Sequence, residues 1–180
     1  MELQGKRVAI LVAEQYEDLE VWYPTLRLRE AGAEVTLVGT GAACYTSKHG
    51  LPVQVDTSAE QVQPNNFDAV IIPCASCAAV LADNPAMTSL VQTAIQQGKL
   101  VAAVSAAGHM MVTAHAEGDA RAQQFFGLQE DVVQKKGPLE DSAVIRQGNL
   151  IMARTPVDLL AFCRMIMAAL AEPPTTPTKL

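Results

Sequence analysis

The chain has 180 residues, with thirteen Lys and Arg against nineteen Asp and Glu for a formal net charge of −6. Hydrophobic residues make up 49% and charged ones 18%, and a mean hydropathy of +0.15 excludes a disordered chain. The acidic balance, with no basic run, lacks the electrostatic footprint of a nucleic-acid binder.

In chain order, residues 6–12 form a short continuous apolar run that reads as a buried parallel strand. The run is too short for a signal-peptide core and no small-residue cleavage pattern follows it, so the expected compartment is the cytoplasm. Residues 16–31 follow with Leu19, Trp22, Tyr23, Leu26 and Leu28 on a helical period, Gly32 closes that helix, and residues 34–38 make the next strand. Together these give a β–α–β crossover. Residues 45–56, with Val53 and Val55 alternating around a Gly-Leu-Pro turn, read as a small appended hairpin. A third strand at 68–73, a helix at 85–97 ending at Gly98, a fourth strand at 100–104 and a short helix at 106–114 continue the α/β pattern.

The stretch 117–137 is polar and receives no element. Two further strands at 143–146 and 149–153 flank a Gln-Gly turn, and Pro156 opens an amphipathic helix to about residue 169. The expected architecture is an α/β three-layer sandwich with a mainly parallel, flavodoxin-like sheet and a small β-hairpin excursion, formed by a single domain over residues 1–171. Residues 172–180, rich in Pro and Thr, are expected to be a flexible tail. The apolar runs are strand-length, far short of the roughly 20 residues of a membrane span. Neither a membrane nor nucleic acid is an expected partner.

In an open parallel sheet the binding crevice lies at the carboxyl ends of the strands, where strand order reverses. Three segments therefore attract attention: residues 13–20, 74–80 and 104–109. The turn Val104-Ser105-Ala106-Ala107-Gly108 places a hydroxyl between a buried strand and small residues, as a nucleophile elbow does. Serine needs a positioned base, for which His109 is the nearest candidate, and the alternative role of Ser105 is a helix N-cap. Glu17, Asp18 and Glu20 open the first helix. They complement its positive end, or one of them, buried with a raised pKa, shares a proton with a nearby Ser or Cys.

Cys74-Ala75-Ser76-Cys77 has the spacing of a redox pair or of half a zinc site. His49, His109 and His115 are scattered, so no metal and no cofactor is expected, and the alternative for the two cysteines is a pair of buried spectator thiols. Cys163, on the last apolar helix face, and Cys44, before the hairpin, read as structural. A reducing cytosol would keep all four as thiols.

Several motifs carry a family likeness: Lys6-Arg7-Val8-Ala9-Ile10-Leu11-Val12, Tyr16-Glu17-Asp18-Leu19-Glu20, Tyr23-Pro24, Leu28-Arg29-Glu30-Ala31-Gly32 and Lys48-His49-Gly50. The likeness continues through residues 67–73, 98–104 and 154–159. The sequence resembles the ThiJ/PfpI superfamily, the intracellular protease I and Parkinsonism-associated deglycase group, within the class I glutamine amidotransferase-like fold. The resemblance places the family's elbow cysteine at Ser105 and the histidine after it at Ala106. It places the Gly-Gly pair that donates to an oxyanion at Cys74-Ala75, and the acid of the peptidase-like members around Ala79. The first-helix acid falls at Glu20, with Glu17 beside it; in the family this carboxyl group hydrogen-bonds the reactive thiol and favours its thiolate.

A hydroxyl in place of a thiol, with no histidine, implies loss of the usual cysteine peptidase, glyoxalase and deglycase activities. The resemblance then implies a homodimeric, non-hydrolytic protein with a stress or regulatory role. It would bind a small acidic or carbonyl metabolite, with Glu17, Ala75, Ala106 and His109 around Ser105 and Glu20. Two alternatives stay open. One is a hydrolase, glyoxalase-like or redox enzyme with rearranged chemistry, using Ser105 with Glu20 and His109 or a thiol from Cys74 or Cys77. The other is a purely partner-binding protein.

Overall fold

The computed structural model describes residues 2–73, 76–104 and 144–172. The short helix expected at 106–114, the unassigned stretch 117–137 and residues 173–180 of the expected tail lie outside the described residues.

The chain begins with β1 (Arg7–Val12), α1 (Asp18–Glu30) and β2 (Glu34–Gly39), then a hairpin of β3 (Cys44–Thr46) and β4 (Pro52–Gln54) and a two-residue strand β5 (Thr57–Ser58). It continues with β6 (Ala69–Ile72), α2 (Ala78–Ala82), α3 (Pro85–Gln96) and β7 (Leu100–Val104). After residue 143 come β8 (Val144–Gln147), β9 (Leu150–Ala153) and α4 (Leu159–Ala171). The main sheet has the order β5-β2-β1-β6-β7-β9-β8, with every neighbouring pair parallel except β8 with β9. The expected mainly parallel α/β sheet is therefore present.

The continuous apolar runs explain the sheet centre. Every residue of β6, β7 and β9, and all of β1 after Arg7, is buried, as parallel strands covered on both faces must be. The β1-to-β2 and β6-to-β7 crossovers run in opposite directions along the sheet, so right-handed connections put α1 and α3 on opposite faces. α1 packs against α4, and α3 packs against β6 and β7. Asn84 starts α3 by accepting from the backbone N–H groups of Ala86 (3.0 Å) and Met87 (3.1 Å), with Pro85 in the first turn, where its missing N–H costs nothing.

The hairpin pairs Tyr45 with Val53, and these two inward positions are 4% and 2% exposed. Tyr45 lies on the end of β2 so closely that a Cβ at Gly39 would fall 2.6 Å from its Cε2, which makes glycine the residue that fits there. The expected alternation is thus realised, and β5 adds an edge strand not expected from the sequence.

Four expectations need correction. The apolar set proposed for the first helix faces the core only in part: Leu28 is buried and Trp22 and Tyr23 pack half-buried against the core, but Leu19 is 66% and Leu26 61% exposed, and the other buried residues of α1 are Glu20, Val21, Pro24 and Thr25. Both sets have helical spacing, and packing against β1 and α4 selects the more polar one. Cys44, expected just before the hairpin as a structural residue, is the first residue of its strand β3 and is exposed. Cys77 is not a thiol, because it is disulfide-bonded. Glu172, the first residue of the expected tail, is held by Arg146 through two contacts of 2.6 Å.

Candidate functional site

Strand order reverses between β1, whose next strand β2 lies to one side, and β6, which lies to the other. The loop leaving β1 therefore opens on the crevice expected of such a sheet. Gln15 in that loop has φ 64, a left-handed conformation that non-glycine residues adopt at a cost of about 1 kcal/mol or more. Its neighbours hold it there. Its N–H donates to the Thr46 carbonyl (2.9 Å), and its carbonyl accepts from Ser76 Oγ (2.6 Å). The β1 loop is thus tied to the hairpin on one side and to the loop after β6 on the other.

Tyr16 anchors the next step. It is fully buried, bridges to Ser47, and its hydroxyl donates to the Leu51 carbonyl (2.7 Å). Burial pushes this phenol above its ordinary value of 10.0, against a smaller opposing effect from Trp22.

The three acids that open α1 are sorted by their surroundings. Glu17, at the N-cap, forms an ion pair with Lys48, and that carboxylate holds the Lys48 ammonium above its usual range. Asp18 meets His49 Nδ1 at 2.6 Å and accepts from Ser47 Oγ at 2.9 Å. The bond to His49, more than any other contact, holds the Asp18 carboxyl below its ordinary 3.8. Ser47 Oγ also accepts from the N–H groups of His49 (3.1 Å) and Leu51 (3.0 Å), so one buried hydroxyl organises the tip of the hairpin loop. Glu20 alone turns inward and is fully buried, a costly position for a carboxyl group.

Glu17 and Glu20 are thus both at the head of α1, but in different environments. Cys77, buried at the start of α2, follows the same β6 loop that Ser76 ties to Gln15. Ser105, Ala106, His109, Cys74 and Ala75 lie outside the described residues; Ser105 follows Val104, the last residue of β7, directly in the chain. The sequence reading missed Ser47, Gln15 and Ser76. The signal for Ser47 was available, since a polar loop carrying Lys48 and His49 faces a helix start carrying Glu17 and Asp18. Among the described residues, no cluster of three His, Cys, Asp or Glu is arranged to hold a metal ion. No described helix is long and apolar enough to cross a membrane.

The DJ-1/PfpI family model matches residues 6–169. The chain belongs to the DJ-1/PfpI family. Deglycase PYRAB04690 of Pyrococcus abyssi is 32% identical over 158 residues, which cover 88% of this chain and 95% of that protein. Among solved structures, the C103A mutant of the DJ-1 superfamily protein STM1931 from Salmonella typhimurium superposes with a TM-score of 0.74 at 26% identity, covering 92% of this chain and 90% of that one. A two-domain protein from Anabaena variabilis with DJ-1/ThiJ/PfpI-like and ferritin-like domains gives a TM-score of 0.75 at 30% identity. There the match covers 94% of this chain but 51% of the other, so this DJ-1/PfpI chain spans about half of that protein.

Proposed function

We propose that this chain is a non-hydrolytic DJ-1/PfpI protein that binds a small acidic or carbonyl metabolite at the carboxyl ends of β1, β6 and β7. The observation that carries the reading is Glu20, a fully buried carboxyl group at the head of α1. The resemblance puts Ser105 and Ala106 where the family has a cysteine and a histidine. A serine there, followed by alanine and not histidine, lacks the adjacent base that would activate it as a nucleophile. Backbone N–H groups at a strand-to-helix turn still bind carboxylate or carbonyl oxygens without any particular side chain.

Turnover of methylglyoxal and of a chromogenic peptide tests the first half of this proposal. The expected result is none above background, unchanged by Ser105→Ala; turnover abolished by Ser105→Ala overturns it. Calorimetric titration with a panel of short carboxylates and 2-oxo acids tests the second half. At least one compound is expected to bind, and Glu20→Ala is expected to weaken it about tenfold or more, the loss of one buried hydrogen bond to a charged or polar ligand.

We further propose that the protein is a homodimer. Leu19, Trp22, Tyr23 and Leu26 lie at helical spacing along α1, and Leu19 and Leu26 are largely exposed. A contiguous apolar stripe on an outer helix face is the kind of surface that a second copy covers. Light scattering coupled to size exclusion is expected to give twice the chain mass, and Leu26→Glu half of that. A monomeric native protein refutes this part.

A further inference from the structure

A second cavity lies at the opposite edge of the sheet from Glu20. Lys6, Asp68 and Asn149 immediately precede β1, β6 and β9, and Leu100 opens β7, so these residues stand along the amino edge of neighbouring parallel strands. Together they line a cavity of about 210 Å³, smaller than the roughly 300–1,000 Å³ of a pocket for drug-sized ligands. The length of β1 separates this edge from the carboxyl-edge crevice, a span of about 20 Å.

The wall is preformed. The Asp68 N–H donates to the Arg7 carbonyl (2.7 Å), the Leu100 N–H to the Asp68 carbonyl (3.1 Å) and the Val101 N–H to the Asn149 carbonyl (2.9 Å), so sheet hydrogen bonds fix its backbone. Arg146 and Glu172, also on the wall, neutralise each other through two contacts of 2.6 Å. Two other charges are left over. Lys6 and Asp68 both line the cavity, yet neither forms an ion pair with the other or with any other described residue. Asp68 Oδ2 accepts from the Arg7 N–H (2.8 Å) and Asn149 Nδ2 donates to the Lys99 carbonyl (2.6 Å). Oδ1 of each side chain is then an acceptor without a donor among the described residues.

We propose that this cavity binds a free α-amino acid as its zwitterion, with the carboxylate against the Lys6 ammonium and the ammonium against Asp68 and the side-chain carbonyl of Asn149. Opposite charges that share a small cavity without pairing are both satisfied by a ligand that carries both signs. A simple anion fits worse. Gln97 and Gly98, at the end of α3, and Ala169 and Leu170, in the last turn of α4, also line the cavity, and the partial negative charge of two helix carboxyl ends disfavours a second unbalanced anion beside Asp68. A simple cation would leave Lys6 without a partner and face its repulsion.

The test titrates the isotope-labelled full chain with L-alanine, L-serine, L-glutamine and L-leucine at neutral pH and follows the backbone amide resonances. At least one amino acid is expected to bind with a Kd tighter than about 10 mM and to shift the amides of Gly98, Gly148 and Asn149. Two near-isosteric analogues of it, the 2-hydroxy acid without the ammonium and the amino acid amide without the carboxylate, are each expected to bind at least about tenfold more weakly, having lost one charged contact. Lys6→Met is expected to weaken the amino acid about tenfold and to abolish its advantage over the amide. Asp68→Asn is expected to abolish its advantage over the 2-hydroxy acid.

The absence of binding by all four amino acids refutes the proposal. So does a 2-hydroxy acid or an amide that binds as tightly as its amino acid, or a set of shifts confined to Gln15, Tyr16 and Ser76 at the carboxyl edge. If neither variant folds, the analogue series on the unsubstituted protein decides by itself.

Discussion

Ser47→Ala is the sharpest test of how the site is held. Ser47 is 2% exposed, and its hydroxyl accepts from the backbone N–H groups of His49 (3.1 Å) and Leu51 (3.0 Å) while donating to Asp18 (2.9 Å). Removing the hydroxyl orphans both N–H groups. A buried donor left without a partner costs about 1–3 kcal/mol. Because His49 is an exposed side chain and Leu51 is 45% exposed, water reaches this loop and the low end applies, about 1 kcal/mol for each N–H. For a chain of this size each kcal/mol lowers Tm by roughly 2–4 °C, so the total of about 2 kcal/mol predicts a fall of about 4–8 °C. Scanning calorimetry at neutral pH measures it, with Ser89→Ala, a surface position on α3, as the control. A fall of less than about 2 °C means that water or a rearranged loop satisfies both donors, and the hairpin tip is then not organised by Ser47.

Acid should strip the Asp18 contribution. Its folded carboxyl titrates below the ordinary 3.8, chiefly through His49, so the stability it adds is present above 3.8 and is lost as pH falls through the lower folded value. Asp18→Asn is expected to flatten the decline in Tm in that range relative to the native protein. Burial pushes the Cys163 thiol up to about 12, so at pH 8 about one molecule in ten thousand carries the thiolate. Native alkylation at pH 8, read by peptide mass, should label the exposed Cys44 and spare Cys163, and comparable labelling of both refutes the burial argument. Because the unfolded thiol ionises near 9.0, this group also destabilises the fold progressively as pH rises from 9 toward 12. Asn84→Ala removes the side-chain cap of α3 and is expected to cost about 1 kcal/mol, seen as a shift of roughly 2–4 °C in Tm.

The sheet was legible because buried parallel strands are written as unbroken apolar runs. Residues 68–73 and 100–104 needed no partner to be recognised, and Gly98 and Gly148, at φ 69 and 59, mark the helix end and the turn that the sequence placed there. Elements with little local signal were not legible: β5 has two residues and α2 five, too few for any periodicity to appear. The inner face of α1 was misread for a different reason. Of the apolar set Leu19, Trp22, Tyr23, Leu26 and Leu28, only Leu28 is fully inward and Trp22 and Tyr23 are half-buried, while Glu20, Val21, Pro24 and Thr25 fill the rest of the inner face. Two stripes of one helix satisfy the same period, and only tertiary packing chooses between them. At the site, the residues by themselves left three acids open at the helix start, and only the family resemblance singled out Glu20, with Glu17 beside it. What separates them is the hairpin loop, distant in sequence, which engages Glu17 through Lys48 and Asp18 through Ser47 and His49.

An inward face that carries Glu20 and Thr25 where leucines were available one step around the helix departs from the apolar pattern of a core, and such departures concentrate where a group acts on something. Installing a reporter thiol at Ser105 tests that reading directly. β1 and β7 are separated by β6 alone, so their ends are two strand spacings apart, roughly 10 Å, and Ser105 follows the end of β7. Ser105→Cys puts a thiol at the position where the resemblance places the family's cysteine, and so tests whether Glu20 acts on it. The expected outcome is an introduced thiol at position 105 that reacts with iodoacetamide at pH 7 about tenfold faster than the exposed Cys44, with the excess lost in the Glu20→Leu background. Thiolate fraction at neutral pH is the quantity such a rate reports. A thiol at position 105 no faster than Cys44, or one whose rate ignores Glu20, would show that the two residues do not share a crevice, and the metabolite-binding proposal would fall with them.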